Sequence, residues 1–426
     1  SGDNGVPQPV DTDPVPTRVS LSLEGNAYRY GAISADASVP ERVVPLDPEL
    51  VRDASAEVTT ERLLVRQMER GEFLGKLLLP RDLAAHLDGN APIVMLLDAN
   101  TARINWEMVA TGLAAPAATQ DAFNAEEEVA LDRFLGTSRG FTRQLRSRLA
   151  PPPDPPPPPR RVLKVLVIAD PAEDHPLLGA QEEGQAVADL FASFNRVWGD
   201  RSPHRVAVTA LFGHEATRTN VLRHLISERY DVLHYAGHCV FDPASPARSG
   251  WVFTGGKRLS VFELSRVDRV PKFVFSNACE SGVTADDAAA ATSDLAPGFA
   301  QAFFARGVSN FICTAWPVND RAALDFAREL YRLLLALPGG DDQEPPPRAA
   351  ALHQAMRLAR RKIARTPSGR LTWGAYQHYG NPHFRLFDWL GDTGDSANGV
   401  TPEAEAEEAE AKEPSADPVP VASDGL

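Results

Sequence analysis

A histidine and a cysteine 41 residues apart, each closing an apolar run, are the residues of this chain best suited to chemistry. Asp231-Val-Leu-His-Tyr-Ala-Gly-His238 ends in an imidazole beside Gly237, and Phe273-Val-Phe-Ser-Asn-Ala-Cys279-Glu-Ser-Gly282 carries a thiol followed by small residues. A thiolate is a strong nucleophile, and a nearby imidazole removes its proton and later protonates a leaving amine. The pair therefore points to a cysteine peptidase. His234, four residues before His238, invites a zinc reading, because histidines at that spacing on a helix share a metal. The helical HExxH pattern needs Glu directly after the first histidine, and Tyr235 stands there in a strand-like run. On a strand those two positions share a face, so His234 reads as a buried, hydrogen-bonded neighbour of the base.

The surrounding elements must deliver the two side chains to one place. From 161 to 390 strands and helices alternate. Strands are expected at Val162–Ala169, Val206–Leu211, Val232–Ala236, Phe273–Ser276 and Phe311–Ala315. Helices are expected at Gln181–Phe194, Thr217–Glu228, Pro297–Arg306, Arg321–Leu337 and Ala349–Arg365. This alternation implies right-handed crossovers and a mostly parallel α/β sheet flanked by helices, in which sites form at the carboxyl ends of strands. His238 and Cys279 fall just past two such ends.

The organisation outside that block is simpler. Residues 1–17 read as a flexible, disordered lead, and 18–149 as a first globular region, with strands at Arg18–Leu23 and Ile93–Leu97 and helices at Glu61–Arg70 and over Asp121–Arg148. Eight prolines in nine positions from Pro151 to Pro159 make 150–160 a stiff linker rather than an SH3-type ligand. Of the net charge of −14, the stretch 391–426 carries −9, with ten acidic residues and Lys412 alone opposing them, and reads as a disordered acidic tail. Nothing basic clusters with aromatics, which argues against nucleic acid. No apolar stretch is long enough to span a bilayer, and no signal-peptide pattern opens the chain, so no membrane role is expected. Opening on Ser1 rather than Met reads as processing. The three cysteines, Cys239, Cys279 and Cys313, lack a disulfide or CxxC zinc pattern, which fits a reducing, cytoplasmic setting. Gly250-Trp-Val-Phe-Thr-Gly-Gly-Lys257 only superficially matches a P-loop, because Arg258 stands where Ser or Thr is required.

The run from Val162 to Leu386 resembles a CHAT domain, a branch of the caspase-like cysteine peptidases whose clan includes caspases, separases and gingipains. The matching residues are Ile168-Ala-Asp-Pro171, Pro176-Leu-Leu-Gly-Ala180 with Glu183, His234-Tyr-Ala-Gly-His238, and Ser276-Asn-Ala-Cys-Glu-Ser-Gly282. They continue with Gly307, Thr314-Ala-Trp-Pro-Val-Asn-Asp320, Trp373-Gly-Ala-Tyr and Gly380-Asn-Pro382. Asn105-Trp-Glu107 and its surroundings resemble the amino-terminal half of CHAT regions, a degenerate caspase-like copy. The resemblance implies that Cys279 is the nucleophile and His238 the general base, with backbone amides of Cys239 and Cys279 as the oxyanion hole. Relatives mostly carry glycine after the histidine; here Cys239 raises the question of whether a positive φ is needed, and reads as a small buried hydrophobe rather than a redox partner of Cys279. Asp320 is the candidate floor of the S1 pocket for a basic side chain and Trp316 its wall, unless Asp320 caps the following helix. Metacaspase-like enzymes carry Asp two residues before the cysteine, where this chain has Asn277. No cofactor and no metal are implied. The expected function is cleavage of a specific protein substrate, with an activating partner protein possible, in bacterial antiviral defence or cell death, for example on a gasdermin-like pore former. A catalytically silent scaffold binding a partner through the same groove is the alternative. The small, polar stretch 283–294 is expected to order when the groove is filled.

Overall fold

Period-two burial and continuous apolar runs resolve into thirteen strands among the described residues of a computed structural model, and all thirteen belong to one sheet. The structure describes residues 13–34, 38–87, 89, 91–111, 125–146, 162–240, 248–264, 266–267, 270–280, 300, 303–304, 307–340, 345–346 and 348–387. The strands are β1 Thr17–Glu24, β2 Ala27–Ile33, β3 Ser38–Pro45, β4 Ile93–Leu97, β5 Phe141–Leu145, β6 Val162–Ala169 and β7 Arg205–Phe212. They continue with β8 Val232–Val240, β9 Gly250–Phe253, β10 Lys257–Ser260, β11 Phe273–Glu280, β12 Asn310–Thr314 and β13 Tyr376–Tyr379. Across the sheet they run β7-β6-β8-β11-β12-β13-β5-β4-β1-β2-β3, with the β9–β10 hairpin continuing from the end of β8. From β7 to β12 the pairing is parallel; β13 is antiparallel to β12 and meets β5 in parallel through one residue pair, Tyr379 with Arg143.

Consecutive residues of the central strands enter different cores, as expected for parallel strands covered on both faces. Val165, Val167, Phe273 and Phe275 pack with Phe191, Tyr331 and Met356 of the helices Leu178–Trp198, Asp320–Leu334 and Leu352–Ala364. Leu166, Ile168 and Val274 pack with Val221 and Leu225 of the helix Arg218–Ser227. The fold is therefore the α/β sandwich anticipated above. No helix among the described residues is long and apolar enough to cross a membrane.

Several local expectations change. β8 and β11 run four residues past the predicted strand ends, because they pair with each other to Glu280 and Cys239 while β9 takes up Cys239 and Val240. The stretch Asp121–Arg148 is not helical throughout: helix at Ala125–Arg133 and Leu135–Ser138 gives way to β5, whose buried Arg143 hides the strand pattern. The helix expected at Glu61–Arg70 is the longer Leu64–Leu78. The P-loop-like segment is a β-hairpin, turned by Gly255 and Gly256 at φ 76° and 65°, with no helix N-terminus to receive a phosphate. Asp13, inside the stretch read as a flexible lead, pairs with Arg385. The proline-rich stretch, segment 283–294, most of Pro297–Arg306 and the acidic tail lie outside the described residues.

One buried ion pair stitches the sheet at its seam. Arg143 donates from Nε and Nη2 to the two oxygens of Glu107, at 2.9 and 2.5 Å, and to the carbonyls of Ala102 and Ile104. Burial works against this charge, but Glu107 more than offsets it and holds the guanidinium above its ordinary range. Arg360, also fully buried and drawn down by that burial to about 10, bonds the carbonyls of Gly136 and Tyr376 and lies 3.7 Å from Glu107. Removing one member strands the others without solvent. Arg143→Ala should destabilise the chain by roughly 3–5 kcal/mol in urea denaturation, while Arg143→Met with Glu107→Leu costs clearly less than the single change.

Two buried histidines give the fold an acid limb. His378 sits between Thr142 Oγ1 and Asn310 Oδ1 at 3.2 Å each, and burial with the Arg360 charge lowers it to about 3. His353 is lowered to about 4, chiefly by burial and then by His383. Both folded values lie below the unfolded value of about 6.5, so the stability they contribute is complete above that pH and drains away as pH falls toward 4. The unfolding midpoint should drop between pH 7 and 5, and His353→Gln should flatten that drop.

Candidate active site

The geometry of the site begins with register. β8 and β11 pair in parallel with Phe273 opposite Val232, and every later pair follows in step, which sets Cys279 directly opposite His238 and Glu280 opposite Cys239. Neighbouring strands lie about 4.8 Å apart, so the two catalytic candidates are adjacent across the ladder. At Cys279 and Glu280 it is the backbone that is described.

His238 is buried and its ring is fixed from outside its own strand. Nε2 lies 2.8 Å from the carbonyl oxygen of His175. A carbonyl only accepts, so Nε2 carries the proton and Nδ1 is left as the basic atom. His175 belongs to the loop that follows β6, and that loop is itself held. Asp170, at φ 48°, turns the chain out of the sheet, its N–H bonded to Ala236 O and its carboxylate accepting from Leu177 N–H at 2.8 Å. The β9–β10 turn clamps the far side, with Thr254 N–H and hydroxyl on Pro171 O and Gly255 N–H on Asp174. Sequence reading missed His175, because a backbone carbonyl leaves no residue-type signature.

Gly237 has a steric reason to precede His238. A Cβ there would come within 2.9 Å of the Tyr235 hydroxyl and 3.0 Å of Pro171. That hydroxyl donates to the carbonyl of His238 at 2.6 Å, and the Tyr235 ring stacks on Trp251, whose Nε1 donates to Ser276 on the nucleophile strand. Cys239 needs no unusual backbone: among described residues positive φ outside glycine occurs at Asp170 and Ala336 only. Its thiol is buried against Ala278 O at 3.4 Å, as a small core residue.

Beneath the pair lies a buried carboxylate that the sequence had marked only as part of a motif. Glu183, on the helix Leu178–Trp198, accepts from Asn277 Nδ2 at 2.8 and 2.7 Å and lies 3.1 Å from His234 Nε2, close but off the line of a well-formed hydrogen bond. His234 Nδ1 is 3.2 Å from the Tyr331 hydroxyl, and Asn277 Oδ1 is within 3.5 Å of the Tyr376 hydroxyl. His234 is thus the buried neighbour expected. Asn277 stands two residues before Cys279 and His234 four before His238, so one carboxylate holds both strands.

The S1 candidates lie at and just before the start of the helix Asp320–Leu334. Trp316 is half-buried, its Nε1 donating to Leu371 O. The helix after it is capped by Asn319, whose Oδ1 accepts from Arg321 and Ala322 N–H. Asp320 is therefore not the cap; it is the exposed first helical residue, and its carboxyl crowds Gly179, where a Cβ would come within 2.4 Å. Among described residues no three His, Cys, Asp or Glu side chains gather as a metal site.

With this geometry in place, residues 69–381 match the CHAT domain family model, and the chain belongs to the CHAT domain family. No curated protein matches it. Among solved structures it is similar to the Arg-specific cysteine proteinase gingipain R (RgpB), with TM-score 0.42 and 11% identity over 73% of this chain and 70% of that one. The complex of Porphyromonas gingivalis RgpB pro- and mature domains matches with TM-score 0.41 and 12% identity, over 80% of this chain and 78% of that one. The Saccharomyces cerevisiae separase–securin complex matches with TM-score 0.35 and 12% identity, covering 80% of this chain but 21% of that one.

Glu183→Ala leaves the Asn277 amide without its acceptor in a dry site, at a cost of roughly 1–3 kcal/mol in urea denaturation. Glu183→Gln, which keeps an oxygen for that amide, should lose less.

Proposed function

We propose that this chain is a cysteine endopeptidase acting through Cys279 and His238 on a specific protein substrate. The observation that carries the reading is the in-register placement of Cys279 opposite His238, joined to an imidazole whose Nε2 proton is held by His175 O, so that Nδ1 is free to take a proton. In this scheme the Cys279 thiol gives its proton to Nδ1 and the thiolate attacks the scissile carbonyl carbon. The resulting oxyanion is received by the amides of Cys239 and Cys279, and His238 returns the proton to the departing amine. Water then hydrolyses the acyl-enzyme. The chemistry is assigned to 161–390, with 18–149 as the degenerate half. Asp320 and Trp316 are the S1 candidates and favour a basic residue there. Family resemblance suggests defence or cell death in the cytoplasm, with a gasdermin-like pore former as one substrate and an activating partner protein. A silent scaffold is the alternative, and it is disfavoured by the presence of both Cys279 and His238.

Digestion of an unbiased peptide library tests activity and specificity together. Cys279→Ala and His238→Ala should each cut cleavage by at least about 100-fold while remaining folded; a folded variant that keeps more than a few per cent overturns the dyad. Asp320→Ala should shift the P1 profile more than the melting temperature. Overlapping profiles would remove Asp320 from the pocket. No Cys279-dependent labelling by a covalent thiol probe, together with no library peptide cut, would favour a scaffold.

A further inference from the structure

Among the described residues, the edges of this sheet are finished differently. β3 carries Pro40 and Pro45, a register shift against β2, and charged contacts of Arg42 with Asp82 and Glu41 with Arg29. The β9–β10 hairpin offers four residues, including exposed Lys257 and Arg258. Prolines, irregularities and charges are the devices that keep edges from pairing. β7 has none of them. It pairs with β6 through eight successive residues, Arg205 to Phe212, without a shift, and its single charge is Arg205 at the first position.

A side chain shows which backbone groups of β7 face outward. Asn195 Oδ1 accepts from Val206 N–H at 2.9 Å and its Nδ2 donates to Val206 O at 2.8 Å, as a neighbouring strand would. In an extended strand the N–H and C=O of one residue point to the same side, and the next residue's point to the other. Val206 therefore faces away from β6, and so do Val208, Ala210 and Phe212. The N–H groups of Val208 and Ala210 meet no side-chain or loop acceptor among the described residues. The side chains of these three residues are half-buried against the main core, apolar and uncharged.

We propose that β7 is a self-association edge, at which two copies of this chain pair antiparallel about a two-fold at Ala210 and continue one sheet into the other. The Asn195 amide selects this register. With Val206 occupied, three outward residues remain in each copy, and only the register centred on Ala210 uses all of them. It sets Val208 of one copy opposite Phe212 of the other and Ala210 opposite Ala210. Aromatic and β-branched residues are favourable cross-strand partners, and the smallest side chain meets its own copy on the two-fold axis. Arg205 lies beyond the paired stretch in both copies, so no like charges meet. An uncharged edge gives a dissimilar partner nothing to read, whereas a second copy supplies its own complement. This inference does not depend on the chemistry at Cys279.

The test is sedimentation velocity of the full chain over a concentration series, with hydrogen exchange at the Val208 and Ala210 amides. The expected result is a monomer–dimer equilibrium in which both amides gain protection as concentration rises. Ala210→Pro removes an outward N–H that the β6 ladder does not use, so the fold should survive while the dimer weakens by about tenfold or more. Val208→Lys should do the same by placing two charges across the seam, and Asn195→Ala, which unseals Val206, should not weaken it. A single monomeric species at every concentration, a dimer indifferent to both β7 variants, or protection independent of concentration would each overturn the proposal.

Discussion

Cys279 and His238 are brought together by a ladder, and a slip of one residue in that ladder would send one of them to the opposite face of the sheet. Everything near the site fixes that register. Apolar residues on both faces of β8 and β11 penalise any slip, because each face is already packed. Trp251 reaches across to Ser276, Thr314 to the carbonyl of Ala278, and the Tyr235 hydroxyl to the carbonyl of His238. The imidazole is then held in one tautomer by a third element, the loop after β6.

Two buried carboxylates divide the task of holding the sheet together. Glu107 belongs to the amino-terminal half and grips Arg143 at the seam where β5 meets β13. Glu183 belongs to the first helix after β6 and grips both strands that carry the candidate dyad. Each is dry and surrounded by donors, so each is worth keeping only while its partners are in place. The molecule is thereby committed to one arrangement of its strands, at the expense of tolerance to substitution at these few positions.

Much of the site could be read from residue types, because a thiol and an imidazole at the ends of apolar runs announce themselves. From Val162 onward β6, β7, β8, β11 and β12 and the helices Leu178–Trp198, Arg218–Ser227, Asp320–Leu334 and Leu352–Ala364 were legible from periodicity, apart from their exact ends. What escaped notice has a common cause. β5 contains Arg143 and β13 contains His378, buried polar side chains whose partners are distant in sequence and which break the apolar pattern of a strand. β2 and β3 are antiparallel and half-exposed, with mixed patterns that a window of residues does not resolve. His175 contributes only its carbonyl, and Asn319 rather than Asp320 takes the cap, a choice between adjacent residues that only backbone geometry can make.

The strand directions carry a further consequence for the connection from β5 to β6. β5 runs antiparallel to β6, so the end of one and the start of the other lie at the same end of the sheet, with β13, β12, β11 and β8 between them. Five inter-strand steps of about 4.8 Å put them roughly 24 Å apart. The connection from Leu145 to Val162 therefore has to bridge the width of four intervening strands at one end of the sheet, where a tight turn between neighbours would not reach.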